Sequence, residues 1–258
     1  MDIVFSGSEA DDHEIEAYTG IVSLEGIARA ANIAAHYAAT GQVRFRAPYS
    51  DEIEFRLSAP AEGSLAFPFK VVSRISSSVT KKRFAAALFL ALLARSTGQE
   101  FPSDIENTVS EVRPGDLDAM AEGATPGILR AHRWIDNSEK SINIADALFS
   151  DVVFDEDTRD YLEIEEYEDE TTQDVTVAAV NANSRIGRVY FEDLGRTVPF
   201  KVGKEATGRT LSNLSRYLTR HIEKTNEWVS IRYIPVRYSD NRLKRIIILD
   251  CALASELE

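Results

Sequence analysis

Apolar positions recur with two different periods along the 258 residues of this chain, one of helices and one of strands. A short strand at Asp2–Ser6 leads through an acidic turn into a helix from about Glu14 to Thr40. There Ile15, Tyr18, Val22, Ile27, Ala31, Ala34 and Ala38 follow helical spacing and Gly41 serves as the stop. Strands are expected at Gln42–Arg46, Glu52–Leu57 and Ser64–Ser73, the last at an edge or bulge because of Pro68. Lys81–Thr97 reads as a second long helix, apolar on nearly every side. Residues 101–150, interrupted by Pro102, Pro114 and Pro126, read as irregular with short helical pieces.

Beyond residue 170 the alternation of strands is most regular. Val175–Val180, Ile186–Phe191 and Thr197–Val202 read as strands, Ala206–Lys224 as a helix, and Trp228–Tyr238 and Leu243–Cys251 as strands again. Three strands, a helix and two strands is the element order of an OB-fold, although a split α+β sheet uses the same elements. The fold class expected is therefore α+β. An N-terminal mixed α/β domain (1–154) and an acidic linker (155–172) precede a C-terminal OB-like five-stranded β-barrel with one helix (173–258).

Charge reinforces the division. Residues 1–170 hold 15 Lys plus Arg against 32 Asp plus Glu, a net of −17, whereas residues 171–258 hold 14 against 10, a net of +4. Within 155–170, ten of sixteen residues are acidic and one is basic. A solvated linker is the plain reading of that run. A segment lying against the basic C-terminal surface, in competition with polyanions, is the alternative.

On the helix at 206–224, Leu211, Leu214, Leu218 and Ile222 share one face, while Arg209, Arg216, Arg220 and Lys224 share the opposite one. Around it, basic residues interleave with six rings: Tyr190, Phe191, Phe200, Trp228, Tyr233 and Tyr238. Cations that follow phosphates beside rings that stack on bases are what single-stranded nucleic acid requires, yet aromatic residues of strands commonly fill cores. Arg188, Tyr190, Arg232 and Arg237 are the first outward-facing candidates, joined by Arg209, Arg216, Arg220 and Lys224.

Other chemistries find thinner support. One cysteine, Cys251, excludes a disulfide framework and a thiolate zinc site. Asp11, His13 and Glu14, within Asp11–Glu16, form the densest set of metal-ligand types, but acidic residues also suit a helix start. Gly203–Thr210 lacks the spacing of a phosphate loop, and neither a nucleophile elbow nor a dinucleotide fingerprint occurs. No cofactor is expected. The opening residues carry no basic segment followed by an apolar run, and Phe84–Ala94 is about half the ~20 residues a membrane span needs. A cytoplasmic protein without a membrane partner is therefore expected.

Two stretches carry a resemblance. Gly7–Glu16 with the helix after it, and the segments Gly187–Val189, Gly195–Phe200 and Leu243–Ile246, resemble the two halves of a group of uncharacterised bacterial proteins. The resemblance implies a two-part protein and carries no catalytic residue. Three functional expectations follow in order. The first is a non-enzymatic binding protein whose barrel contacts nucleic acid, with the acidic domain engaging a protein partner or a second copy. The second is a protein–protein adaptor subunit, and the third is a metal-dependent hydrolase centred on Asp11–Glu16.

Overall fold

The computed structural model describes residues 1–60, 65–74, 79–223 and 228–252, which form two compact units, Met1–Glu163 and Ile164–Glu258. Ser64 and Lys224, the ends of one expected strand and one expected helix, lie outside the described residues.

The first unit is built on a five-stranded antiparallel sheet. Its strands are β1 (Asp2–Ser6), β2 (Ile53–Leu57), β3 (Ala66–Ser73), β4 (Ser141–Ala145) and β5 (Val152–Phe154), in the order β2-β3-β1-β4-β5. Alternation aims Ile3 and Phe5 of β1, and Ile142 and Ile144 of β4, into one core. Helices α1 (Ala17–Thr40) and α2 (Val79–Ser96) lie against the strands, and α3 (Ser103–Thr108) and α4 (Pro114–Ala131) pack on α2. Every residue of α2 from Ala85 to Ala94 is buried, which explains its all-round apolar pattern. Glu16 caps α1 by accepting from the backbone of Tyr18 (3.0 Å) and Thr19 (2.7 Å). A further helix, α5 (Glu156–Glu163), closes the unit.

Two expectations are corrected here. Residues 42–46 form no strand; they belong to a loop along α1. The stretch 101–150 is not irregular: it supplies α3, α4 and β4. Pro114 stands at the first turn of α4, where its missing N–H costs nothing, and Pro126 is accommodated inside the same helix.

In the second unit, β6 (Glu166–Tyr167), β7 (Thr171–Asn181), β8 (Ile186–Phe191) and β9 (Arg196–Val202) precede helix α6 (Gly208–Ile222). Strands β10 (Val229–Arg237) and β11 (Leu243–Ala252) follow it. Strand β7 pairs with β8, β8 with β9, β9 with β11 in parallel, β11 with β10, and β10 back with β7, so five strands close a barrel. The single helix between the third and fourth strands completes an OB-like topology. Val175, Val177, Val189, Val198, Phe200, Ile231 and Ile246 fill the interior. Gly187 lets β7 and β8 approach: a Cβ there would lie 2.1 Å from the Ala179 carbonyl oxygen and 2.4 Å from the Phe200 ring.

The buried face of α6 is Thr210, Asn213, Leu214 and Tyr217, with Leu211 and Leu218 at its margin. Ile222, expected on the buried side, is 70% exposed. Hydrogen bonds set the helix's phase: Asn213 Nδ2 donates to the Cys251 carbonyl (2.7 Å) and the Thr210 hydroxyl to Asp250 (3.2 Å). The acidic run 155–170 is divided, with Glu156–Glu163 forming α5 of the first unit and Glu166–Tyr167 pairing with β10 of the second.

Candidate nucleic-acid interface

The outer face of β7, β8 and β9 carries a row of side chains set by register. Thr176 is opposite Tyr190, and Tyr190 is opposite Thr197. Val229 is opposite Val175, so Trp228 falls one step further, beside Thr176. Trp228, Thr176, Tyr190 and Thr197 therefore cross four neighbouring strand positions, while Val175, Val189, Val198 and Val229 beside them point inward. Two rings remain exposed, Trp228 at 43% and Tyr190 at 36%. Their strand positions are two strands apart, about 10 Å, with Thr176 between. A groove of about 500 Å³ runs over this row, lined also by Ala178, Glu192 and His221.

Cations border one end. Arg188 lies on the same outer face, its guanidinium donating from Nε to the Thr197 hydroxyl (3.0 Å) and from Nη2 to the Thr197 carbonyl (3.1 Å). Lys201 is exposed and has no ion-pair partner among the described residues. Beyond Trp228 the surface turns acidic: Gln173, Asp174, Glu192 and Asp193 line an adjoining hollow with it.

The other candidate cations are distributed differently. On α6, Arg209 and Arg216 are exposed, and the Arg220 guanidinium lies 5.1 Å from the Tyr217 ring centre; none of the three lines the groove. Lys224 is outside the described residues. Arg232 and Arg237 on β10 are paired with the acidic segment, to Glu170 and to Glu168 at 2.8 Å. Glu165 of the same segment meets Lys244 (3.2 Å) and Arg245 (2.7 Å) on β11. The Arg245 guanidinium, with Lys244 beside it, holds the Glu165 carboxyl down to about 2. Of the six rings, Phe191, Phe200 and Tyr233 are buried, and Tyr238 is covered by Arg242 and Lys244. Sequence reading named Tyr190 and Arg188. It passed over Thr176, Thr197 and His221 as site residues, because their approach depends on register and barrel closure.

The acidic N-terminal group serves local structure. Asp11 accepts from the Gly7 backbone (2.8 Å) within the turn Ser8–Asp12, while His13 and Glu14 point to solvent. Among the described residues no group of three His, Cys, Asp or Glu side chains is placed to hold a metal ion. Nor is any helix among them long and apolar enough to cross a membrane.

Comparison with curated proteins and with solved structures finds no match. Two family models do match, at the two stretches that carry the resemblance. Residues 1–100 match the model of a domain of unknown function (DUF7946), and residues 169–252 match that of a family of unknown function (DUF7947).

Proposed function

We propose that the chain is a non-enzymatic binding protein whose OB-like barrel takes single-stranded nucleic acid across β7, β8 and β9. Barrels of this topology commonly use their second and third strands for such ligands, here β8 and β9. The observation that carries the reading is the row Trp228, Thr176, Tyr190, Thr197: two exposed rings line one groove, with Arg188 and Lys201 beyond. A base stacks between the rings while its phosphates run toward Lys201, away from Asp174 and Asp193. Such a surface reads no sequence; it binds by stacking and charge. The acidic first unit is assigned to contact with a protein partner or with a second copy.

Fluorescence anisotropy with a labelled oligothymidylate, at about 20 mM and about 200 mM salt, tests this. Binding falls steeply with salt, and Tyr190→Ala or Trp228→Ala each weakens it by about five- to a hundredfold, the worth of one stacked base. Absence of binding at the lower salt overturns the reading in favour of a protein-binding adaptor. Equal affinity of wild type and both variants removes the groove as the site.

A further inference from the structure

A second site lies in the first unit, on the exposed stripe of α1. Glu25, Ala28, Arg29 and Asn32 are spaced so that they share one face, and the loop Phe45–Tyr49 runs along them. Together they line an open cavity of about 560 Å³. The loop is pinned at several points. The Ser50 backbone donates to His36 Nδ1 (2.9 Å), the Tyr49 hydroxyl to the Phe45 carbonyl (3.0 Å), and Arg44 Nε to the Arg46 carbonyl (3.1 Å). The Phe45 ring also sits over Gly123 of α4, 2.1 Å from where a Cβ would stand.

Residues 1–50 contain seven acidic and three basic side chains. All three basic ones are here: Arg29 and Arg46 line the cavity, and Arg44 braces its loop. None of them has a carboxylate within ion-pair distance among the described residues. Glu25 does not neutralise them, since both its oxygens are held by Arg130 (2.8 and 3.1 Å). Unpaired guanidinium groups lining one hollow suit an anion, and their forked donors match phosphate oxygens. Phe45 and Tyr49 add ring surface, and Asn32 an exposed amide. The volume is that of a small-molecule site.

We propose that this cavity binds a phosphorylated small molecule with a planar body, of mononucleotide size, its phosphate on Arg29 and Arg46 and its ring against Phe45 and Tyr49. A single phosphate suits the surroundings better than a long polyanion does. The unit Met1–Glu163 carries 15 basic against 27 acidic residues, so a polymer that reached beyond the cavity would meet repulsion. The proposal stands independently of the barrel reading, which concerns other residues.

Isothermal titration of the full chain with adenosine monophosphate, inorganic phosphate and adenosine tests it at about 50 mM salt. The nucleotide binds one to one, at least about tenfold tighter than either fragment, and Arg29→Gln or Arg46→Gln each weakens it by about tenfold or more. Lys82→Gln, on the exposed start of α2, and Trp228→Ala leave it unchanged. Thermal unfolding of the variants confirms that they are folded, and Arg46, exposed on its loop, is the substitution least able to disturb packing. No saturable heat with the nucleotide up to about 10 mM overturns the proposal, that weakness lying below any specific charge-assisted site. Wild-type affinity in both arginine variants overturns it as well. So does binding of oligonucleotide through Arg46 without binding of the mononucleotide.

Discussion

Replacing Glu165 by Gln removes the carboxylate that Lys244 and Arg245 share, and the consequence can be sized. The fall of its pKa from 4.5 to about 2 sets a ceiling of about 3 kcal/mol at 1.36 kcal/mol per pH unit. The side chain is 25% exposed, so screening brings the expected contribution to about 1–2 kcal/mol. Because the folded-state value lies below the unfolded one, this stabilisation is complete above pH 4.5 and is lost as the pH falls toward 2. Cys251 makes the measurement specific to the barrel. It is the chain's one cysteine, it is 1% exposed on β11, and burial pushes its thiol up to about 12. A pyridyl disulfide, reactive even in acid, therefore labels it only after the barrel opens. Labelling across a urea series at pH 7 should show Glu165→Gln opening at lower urea, by the energy given above. Arg245→Gln should show a similar loss, with the double variant costing less than the two together. At about pH 3 the gap between wild type and variant narrows. Identical urea profiles at pH 7, or a gap of unchanged size in acid, would refute the assignment of this ion pair to barrel stability.

The crossing of α1 and α4 is set by Gly26, where a Cβ would stand 2.1 Å from the Gly127 carbonyl oxygen. Gly26→Ala should lower the stability of the first unit by about 1–3 kcal/mol in urea unfolding followed through the buried Trp134. Gly208→Ala, with nothing within 4 Å of its Cβ, serves as the neutral control. The His132 ring lies between the Ile128 carbonyl (2.8 Å) and the Thr158 hydroxyl (3.0 Å) and stacks on Phe154. The carbonyl can only accept, so Nδ1 carries the proton. Burial drives its pKa down to about 4, so its contribution to stability is whole above pH 6.5 and disappears as the pH drops through 4. Its ring resonances should stay fixed between about pH 7.5 and 5.5; a midpoint above about 6 contradicts this environment.

Regular alternation made the barrel readable. Val175, Val177, Val189, Val198 and Val229 announce an interior with a period of two, and the order of elements supplied the topology. The long helices were equally plain. Helix α4 was not, because its two prolines look like interruptions and much of its buried stripe is alanine. Leu117, Met120, Ala121, Ala124, Ile128 and Ala131 nevertheless keep helical spacing. At 42–46, Val43 and Phe45 alternate with charge as a strand would, but Phe45 fills the space above Gly123 and the arginines serve the cavity. The phase of α6 escaped hydrophobicity because Thr210 and Asn213 are buried by hydrogen bonds. Of the candidate interface, Tyr190 and Arg188 were legible as an outward ring and cation on one strand. Trp228 entered only as one ring among six, because its place beside Thr176 depends on the closure of β10 onto β7.

Pairing of Glu166–Tyr167 with β10 has a practical consequence for anyone dissecting the molecule. A fragment starting at residue 171 carries 14 basic and 10 acidic residues. One starting at 164 carries the same 14 against 15. The shorter fragment loses these carboxylate partners of Arg232, Arg237, Lys244 and Arg245 together, on two adjacent strands. Such a fragment would retain nucleic acid through purification and show an affinity that the longer one lacks. Where the first codon of an expression fragment is placed thus decides whether oligonucleotide binding reports the groove or a cut made seven residues too late.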